Sequence, residues 1–386
     1  MSIRNNNLGS INKPGFNALG AQTSVTTYTY ELWSWGRNNY GQLGLGNTTS
    51  YSSPKQVGAL TTWLSLSAGR YFSAAIKTDG TLWTWGRNDK GQLGLSNTTS
   101  YYSPKQVGAL TTWATVKAGS THCAAIKTNG TLWTWGMNYY GQLGLNSATY
   151  SFSSPQQVGA LTTWSTIASL ANSVLAVKTD GTLWSWGRNS LGQLGLGNTT
   201  NYSSPMQIGA LTAWSSLGGQ ESEDSSASIK TNGTLWTWGS NDKGQLGQTL
   251  STATNISSPV QVGALTTWLK VIGGGGGAGY MSSVKTDGTL WSWGGNDYGQ
   301  LGIGNITDYS SPKQIGALTT WLNVYGGGRH NSASKVDGTL WTWGQGNYGA
   351  LGLGNTTTYS SPKQVGALTT WLTVASGRYN IIALKY

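Results

Sequence analysis

The chain has 386 residues, of which 57 are glycine and 21 tryptophan, and only 9% of its residues are charged. Its 23 basic and 12 acidic residues give a net charge of +11. It contains no run of lysine or arginine and no apolar stretch of about 18 residues, which argues against nucleic acid as a partner and against membrane insertion. Because no apolar signal region begins the chain, we also expect no secretory signal.

The tetrad Trp-x-Trp-Gly occurs seven times, at intervals of 50 to 55 residues. A third tryptophan follows each tetrad, so three per repeat account for all 21. A period of this length, carried through the whole chain, is typical of a solenoid, a propeller or an array. The first tryptophans of the tetrads are Trp33, Trp83, Trp133, Trp184, Trp236, Trp291 and Trp341.

Short β-rich runs separated by turn signals make up each repeat, and helical periodicity is lacking. The pair Asp79-Gly80 predicts a tight two-residue hairpin, in which both residues have positive φ. Four short strands in each repeat correspond to one propeller blade. The fold class is therefore predicted as all-β: a seven-bladed β-propeller of four-stranded antiparallel blades, over residues 31–386. In the repeat that starts at Trp63 the predicted strands are 63–67, 73–77, 82–85 and 105–107.

The two ends of the repeat region complement each other. Residues 378–385 match the second strand of a repeat and stop where its Asp-Gly turn should come, whereas residues 32–57 supply a third and a fourth strand without the first two. We therefore predict that C-terminal strands close the ring by pairing with the N-terminal strand region. Residues 1–30 lie outside the repeats, and their polar, glycine- and asparagine-rich composition predicts an extended N-terminal arm.

The stretch "GTLWTWGRNDKGQLGLSNTTSYYSPKQVGAL", residues 80–110, resembles the repeat of the regulator of chromosome condensation family in its tryptophan-rich prokaryotic and viral form. The resemblance covers residues 31–386 and implies a seven-bladed propeller. It implies no single function, because relatives include an exchange factor for a small GTPase, a plant ultraviolet photoreceptor and a secreted β-lactamase inhibitor. The photoreceptor's Gly-Trp-Arg-His-Thr motif is absent from this sequence.

Residues able to carry catalysis are scarce. Two histidines and one cysteine give no nucleophile arrangement, and we predict that the protein is not an enzyme and takes no cofactor or metal ion. The one acidic cluster is "QESED", residues 220–224. A calcium site at Glu221, Glu223 and Asp224 is the alternative there, but a solvated loop is favoured. The Asn-Thr-Thr triplets, such as the one that begins at Asn47, are predicted to form turns.

Sequence variation is concentrated in two segments of each repeat, the one after the first strand and the one after the third. In an up-and-down blade both segments lie on the same face of the ring, and variable loops on a rigid scaffold are an expected place for recognition. Arginine and tyrosine, which are enriched in interface hot spots, recur there, although solvated loop ends are the alternative interpretation. The candidate partner-binding residues are Arg37, Arg70, Tyr71, Arg87, Tyr139, Tyr140, Arg188, Arg329, His330, Arg378 and Tyr379.

These observations predict a non-enzymatic binding or assembly scaffold that acts through one propeller face and the N-terminal arm. We favour a bacteriophage virion structural, decoration or attachment protein, located in the virion, with other virion proteins or a host-surface receptor as partners. One alternative is a cytoplasmic regulatory propeller that binds a GTPase or another protein, and another is a surface or inhibitor-type propeller. Association of several copies is left open by the sequence.

Overall fold

A computed structural model describes residues 30–218, 224–248, 254–275 and 277–386. The predicted N-terminal arm, apart from Tyr30, lies outside the described residues. Within the described ranges the chain forms seven four-stranded antiparallel sheets, together with one short 3₁₀ turn at Asn347–Gly349. None of the described residues belongs to a helix that is long and apolar enough to cross a membrane. The predicted all-β class and the seven-bladed propeller are confirmed.

Each blade runs from an innermost strand at the ring axis to an outermost strand at the rim, and the innermost strands of consecutive blades contact one another in a closed cycle. The innermost strands are β3 (Trp63–Ala68), β7 (Trp113–Ala118), β11 (Trp164–Ser169), β15 (Trp214–Gly218), β19 (Trp268–Gly274), β23 (Trp321–Gly326) and β27 (Trp371–Ser376). The second strands are β4 (Phe72–Lys77), β8 (His122–Lys127), β12 (Ser173–Lys178), β16 (Ser225–Lys230), β20 (Tyr280–Lys285), β24 (His330–Lys335) and β28 (Asn380–Lys385).

The outer half of each blade consists of the third and fourth strands. The third strands are β5 (Leu82–Gly86), β9 (Leu132–Met137), β13 (Leu183–Gly187), β17 (Leu235–Gly239), β21 (Leu290–Gly294), β25 (Leu340–Gly344) and β1 (Glu31–Gly36). The fourth strands are β6 (Tyr101–Gln106), β10 (Ser151–Gln157), β14 (Tyr202–Gln207), β18 (Ile256–Gln261), β22 (Tyr309–Gln314), β26 (Tyr359–Gln364) and β2 (Tyr51–Gln56). We number the blades 1 to 7 in chain order from β3–β6, so blade 7 is the closing blade.

A hairpin joins the second and third strands at the predicted place, but its turn is longer than the predicted two-residue turn. Gly80 has a positive φ and Asp79 does not, and the turn is closed by hydrogen bonds from the Gly80 N–H to the Lys77 carbonyl and from the Lys77 N–H to the Thr81 carbonyl, both at 3.0 Å. In blade 1 one carboxylate oxygen of Asp79 accepts hydrogen bonds from the Thr81 backbone N–H at 2.9 Å and from its hydroxyl at 2.6 Å. Gly80 has φ +77°, and a Cβ there would lie 2.1 Å from the Thr111 carbonyl oxygen. Glycine is required because the turn is pressed against the segment that enters the next blade.

Three tryptophans pack together within each blade. The ring of Trp63 meets Trp83 at 6.2 Å and Trp85 at 6.1 Å, both edge-on. Trp85 is fully buried and donates its indole N–H to the Gln42 carbonyl of the preceding blade at 2.9 Å. Burial of one such ring removes about 150–250 Å² from water, worth roughly 4–6 kcal/mol before ordering entropy. Trp85 therefore joins adjacent blades, whereas the half-buried Trp83 packs on Trp63 within its own blade.

The second-strand lysines are held against these tryptophans. In every blade the ammonium lies between 3.6 and 4.8 Å from the ring of the first tetrad tryptophan, a distance suited to a cation–π contact. Seven of the 23 basic residues are thus used within the blades and do not form a basic stripe. The lysines are Lys77, Lys127, Lys178, Lys230, Lys285, Lys335 and Lys385.

Ring closure occurs as the sequence predicts. In blade 7 the strands follow the order β2-β1-β28-β27, and β28 pairs with β1 from Glu31 opposite Lys385 to Gly36 opposite Asn380. The Lys385 ammonium lies 3.2 Å from a Glu31 carboxylate oxygen, which also accepts the Trp33 indole N–H at 3.0 Å. The closing blade therefore joins strands from the two ends of the repeat region.

The fourth strand differs from the prediction in its position. In blade 1 it covers Tyr101–Gln106 instead of residues 105–107, and it therefore includes Pro104. Proline is tolerated there because an outermost strand pairs on one side only. The pairing is also interrupted by an irregularity between Thr84 and Gly86, so a simple count along the third strand misplaces the start of its partner.

Deletion of residues 379–386 is expected to abolish cooperative unfolding. The truncation removes β28, the strand that links β1 to β27, and it leaves unpaired edges on both neighbours. Thermal unfolding followed by circular dichroism, together with light scattering, should show a broad transition or aggregation. An unchanged melting temperature in the truncated protein would contradict the closure.

The Gly-Gln-Leu-Gly loop gives a second test of blade-to-blade packing. Gly94 has φ +70°, and a Cβ there would lie 2.8 Å from the indole nitrogen of Trp135 in the next blade. Gly108 has a similar φ of +60° but no atom within 4 Å of its Cβ position. Because both substitutions to alanine carry similar backbone strain, Gly94→Ala should lower the melting temperature further than Gly108→Ala. Equal losses would argue against this packing.

Candidate functional site

The loops after the first and third strands meet on one side of the ring, which we call the loop face and which in blade 1 consists of residues 69–71 and 87–100. Two backbone hydrogen bonds show this contact. Arg87 N–H donates to the Tyr71 carbonyl at 3.0 Å, and in blade 7 Arg37 N–H donates to the Tyr379 carbonyl at 2.9 Å. The prediction that both variable segments share one face is confirmed.

Asparagine side chains hold the long loop of the loop face in shape. The Asn38 amide oxygen accepts the Leu43 backbone N–H at 2.9 Å, and its amide nitrogen donates to the Asn47 carbonyl at 3.0 Å. The Asn47 side-chain oxygen in turn accepts the Thr49 backbone N–H at 3.0 Å. The Asn-Thr-Thr triplet is therefore a turn, as predicted, and the loop provides a rigid base for the variable side chains.

A cluster of arginines and tyrosines lies where blades 6, 7 and 1 meet. At its centre, the guanidinium carbon of Arg37 lies 4.8 Å from the ring centroid of Tyr348, 5.2 Å from that of Tyr71 and 5.6 Å from that of Tyr379. One cation is thus in contact with tyrosines from three separate loops. We define the closure cluster as Arg37, Tyr40, Arg70, Tyr71, Arg87, Tyr348, Arg378 and Tyr379.

The contacts of the closure cluster continue into blade 1. Arg87 lies 5.1 Å from the Tyr40 ring and 5.7 Å from the Tyr71 ring, and Arg70 lies 5.3 Å from the Tyr71 ring. The two tyrosine rings are themselves 5.1 Å apart. Tyr71 is therefore shared by several cations, and alternating cationic and aromatic groups make one continuous surface.

The charges of the closure cluster are only partly compensated. Arg87 forms an ion pair with the exposed Asp89, with nitrogen and oxygen 2.7 Å apart. Arg37 and Arg70 each have a buried Nε with no hydrogen-bond partner among the described residues. These buried Nε atoms are out of reach of another molecule, but the ion pairs of the described residues include neither Arg37 nor Arg70, so no described carboxylate compensates their charge. The surface is therefore suited to contact with an anionic group.

A second group of candidate residues lies elsewhere on the loop face. The ring of Tyr139 is 4.8 Å from that of Tyr140 and 6.0 Å from that of Tyr150, and Tyr139 is 64% exposed. Arg188 lies 5.7 Å from the Tyr140 ring and 3.2 Å from a carboxylate oxygen of Asp224. Because Asp224 compensates the arginine, this group is less basic than the closure cluster.

The acidic segment of the sequence lies mostly outside the described residues. Its members Glu221 and Glu223 fall there, and Asp224 is the described one. Among the described residues, no group of three or more His, Cys, Asp or Glu side chains could hold a metal ion. The choice between a solvated loop and a calcium site therefore stays a prediction.

The last two candidates are neighbours in sequence but differ in exposure. Arg329 is half-buried, donates a hydrogen bond to the Tyr298 hydroxyl at 2.7 Å and stacks on that ring at 4.6 Å. His330 is only 1% exposed, so its prediction as a surface contact residue is corrected. It begins β24 and faces inward, against Gly327, where a Cβ would lie 2.4 Å from the imidazole.

Three tyrosines of the loop face escaped the sequence analysis: Tyr40, Tyr298 and Tyr348. All three occupy the repeat position of Tyr140, four residues after the end of the tetrad. Alignment of the seven repeats at this position would have found them. Their contacts with arginines of other loops could not be read from the repeat.

Two surface grooves beside the tetrad tryptophans do not involve the candidate residues. One of them is lined by Leu145, Trp164 and Trp184, and a corresponding one in another blade is lined by Leu45, Trp63 and Trp83 among others. Equivalent residues of the repeat form both grooves. We therefore assign these grooves to the packing of the blades.

The fold and its loops define a class of protein. It is a closed seven-bladed propeller built from a tryptophan-rich repeat, and the side chains on its loop face differ from blade to blade. The sequence pattern described as "Regulator of chromosome condensation (RCC1) repeat" matches residues 31–76, 79–126, 129–177, 180–218, 232–278, 287–334 and 337–384. The chain belongs to this family.

Relatives at the sequence level match only a part of this chain. Residues of the chain are 33% identical over 129 positions to "Protein RCC2 homolog" from Danio rerio. The match covers 33% of this chain and 25% of that protein. The chain thus spans about a quarter of the length of this relative.

Solved structures match over nearly the whole ring. Human WBSCR16 superposes with a TM-score of 0.82 and 21% identity, covering 92% of this chain and 98% of that one. Prp20p from Saccharomyces cerevisiae, studied for its binding to Gsp1p and histones, superposes with a TM-score of 0.80 and 18% identity, covering 93% and 92%. At these identities the likeness shows the fold.

Because both histidines are buried, we expect the folded protein to lose stability in mild acid. Burial lowers the pKa of His122 and of His330 from 6.5 to about 4. As the pH falls from 6.5 towards 4, the unfolded chain binds protons that the folded protein does not, at a cost of at most about 3 kcal/mol for each histidine. Chemical denaturation should therefore show lower stability at pH 5 than at pH 7.

The repeat itself supplies the control variants. The position of His122 and His330 holds Phe72 in blade 1 and Asn380 in blade 7. The double variant His122→Phe/His330→Asn should lose less stability than the parent between pH 7 and pH 5. An identical pH profile would show that the two imidazoles do not titrate in this range.

Proposed function

We propose that the protein is a non-enzymatic binding module that docks a protein partner on the loop face, at the closure cluster. The observation that carries this proposal is the stack of four arginines and four tyrosines where blades 6, 7 and 1 meet. These residue types provide large contact areas and charged hydrogen bonds at low cost in conformational entropy. The rest of the ring serves as a rigid support.

Charge complementarity indicates the chemistry of the partner surface. Arg37 and Arg70 form no ion pair among the described residues, and tyrosine rings already fix the positions of their guanidinium groups. A preorganised guanidinium donates hydrogen bonds to a carboxylate with good geometry and loses little freedom on binding. An acidic segment of a partner protein therefore fits this surface best.

A regulatory role is supported by the likeness to Prp20p, which was studied for its binding to Gsp1p. A GTPase partner is accordingly the second candidate. This candidate would be supported if the protein accelerated nucleotide release from a small GTPase of the same cell. The virion role predicted from the sequence stays a prediction, since neither that structure nor the RCC2 homolog is described as a virion protein.

Four substitutions test the docking surface. The variant Arg70→Ala/Tyr71→Ala/Arg378→Ala/Tyr379→Ala removes half of the closure cluster and leaves the tryptophan contacts between blades untouched. Affinity purification at low salt, with quantitative mass spectrometry of the bound proteins, should show at least a tenfold loss of partner, since a hot-spot residue contributes about 2 kcal/mol or more. The parent should also release the partner as the salt concentration rises.

Two controls make this result specific. The variant Tyr139→Ala/Tyr150→Ala removes exposed aromatic rings from the second group and should retain the partner. Deletion of residues 1–25 tests the N-terminal arm. Loss of the partner on arm deletion, combined with normal binding by the four-alanine variant, would contradict docking at the closure cluster.

A further inference from the structure

The face of the ring opposite the loop face carries exposed apolar side chains, and we call it the hairpin face. In blade 1 it consists of residues 58–62 and 78–80, which are joined where the Thr78 backbone N–H donates to the Thr62 carbonyl at 2.9 Å. The loop that leads into each innermost strand places one leucine on this face, and each of these leucines is 43–50% exposed. They are Leu60, Leu110, Leu161, Leu211, Leu265, Leu318 and Leu368.

A second set of leucines on the hairpin face departs from the repeat. The residue after the tryptophan that begins each innermost strand is alanine in blade 2 and serine in blades 3 and 4, but leucine in blades 5, 6, 7 and 1. Leu64, Leu269 and Leu322 are 38–51% exposed, and Leu372 is half-buried. Because the same strand forms with serine at this position, the packing of the blades does not require these leucines.

The four blades that carry these leucines are consecutive in the ring. Their innermost strands β19, β23, β27 and β3 contact one another in this order, so the leucines form one arc. Blade 6 adds Val336, which is 68% exposed, where blades 1 to 5 have threonine. A contiguous exposed apolar surface of this kind is typical of a contact site. We define the apolar crescent as Leu60, Leu64, Leu265, Leu269, Leu318, Leu322, Val336, Leu368 and Leu372.

The N-terminal arm joins the ring within the apolar crescent. Tyr30 occupies the place that the hairpin glycine has in the other blades, and its backbone N–H donates to the Thr61 carbonyl at 2.8 Å. It also forms a parallel bridge with Thr62 and packs against the core that blades 7 and 1 share. Thr61 and Thr62 lie between Leu60 and Leu64 in the chain. The residues that precede Tyr30 therefore start at this apolar surface.

We propose that the N-terminal arm, residues 1–29, folds back over the hairpin face of its own ring and covers the apolar crescent. The parallel register at Tyr30, continued by two residues, sets Tyr28 opposite Leu60. Because the arm is tethered at the edge of the crescent, its effective concentration there exceeds that of a separate molecule. The apolar residues that the arm offers include Leu8, Ile11, Phe16, Leu19 and Val25.

This contact is independent of the proposed docking function. The apolar crescent lies on the hairpin face, whereas the closure cluster lies on the loop face, and the two share no residue. An arm that covers the crescent leaves the closure cluster open to a partner protein.

Hydroxyl-radical footprinting read by mass spectrometry tests the proposal, because it reports the exposure of individual side chains. The full chain is compared with the protein that lacks residues 1–25, which keeps β1 and the closing blade. Removal of the arm should raise the oxidation of Leu64 and Leu322 severalfold. Leu161 and Leu211 lie on the hairpin face outside the crescent and should be oxidised equally in both proteins. Equal oxidation of the crescent leucines in the two proteins would overturn the proposal.

Substitutions that the repeat already tolerates test the same contact from the side of the ring. They introduce the serine that blades 3 and 4 have at this position. The variant should release the arm, so that chymotrypsin cleaves after Phe16 severalfold faster than in the parent, since a protease acts on segments that are not held against the fold. The variant is Leu64→Ser/Leu269→Ser/Leu322→Ser/Leu372→Ser.

The matched control removes exposed leucines from the rest of the hairpin face. The variant Leu110→Ser/Leu161→Ser/Leu211→Ser should keep the cleavage rate of the parent, and circular dichroism checks that both variants are folded. A rate of cleavage after Phe16 that is equal in the parent and in both variants would contradict docking of the arm on the crescent.

A second copy of the chain is the rival occupant of the crescent. Footprinting and sedimentation velocity are repeated over a range of protein concentrations. Protection of Leu64 that is unchanged on dilution supports the arm of the same chain. Protection that disappears on dilution, together with a change from dimer to monomer, would mean that a second copy covers the crescent, and it would overturn the proposal.

Discussion

The contact between the second tetrad tryptophan and the loop of the preceding blade is the interaction on which the ring depends. Trp85 is completely buried, and its one polar atom is satisfied by the Gln42 carbonyl of blade 7. Gly44 lies against the same indole and leaves no room for a side chain. Because each blade completes its tryptophan core with a loop of another blade, an isolated blade would leave large aromatic surface exposed, and the core is complete only when the ring is closed.

This arrangement also explains why a variable surface stands on a uniform scaffold. The loop after the third strand covers the buried tryptophan of the next blade. The tip of the same loop carries the residue that directly follows the tetrad and, in some blades, a tyrosine four residues after the tetrad. Hydrogen bonds of asparagine side chains within the loop fix its shape, so that substitutions at the tip leave its contact with the buried tryptophan unchanged. At the junction of blades 7 and 1 these tips bring Arg37 next to Tyr71 and Tyr379, and closure of the ring thereby creates the closure cluster.

Positive charge is used in two ways in this molecule. The seven second-strand lysines repeat in every blade and rest on tryptophan rings, where they support packing. The arginines of the closure cluster, and Lys117 and Lys270 on the innermost strands, occur in some blades only. A residue required by the repeat recurs in every blade, so candidates for binding are found among the departures from the repeat. Net charge alone does not distinguish these two populations.

The sequence by itself determined the class, the number of blades, the strand pairs and the closure, because tryptophan spacing, Asp-Gly turns and strand alternation act over short distances and recur seven times. It also determined that two variable segments share a face. Only the tertiary structure decided which side chains meet there. Arg37 contacts Tyr348 more than 300 positions away, and His330 turns inward while the adjacent Arg329 reaches Tyr298. Such contacts depend on how blades are oriented around the axis, and a repeat read in one dimension carries no information about that orientation.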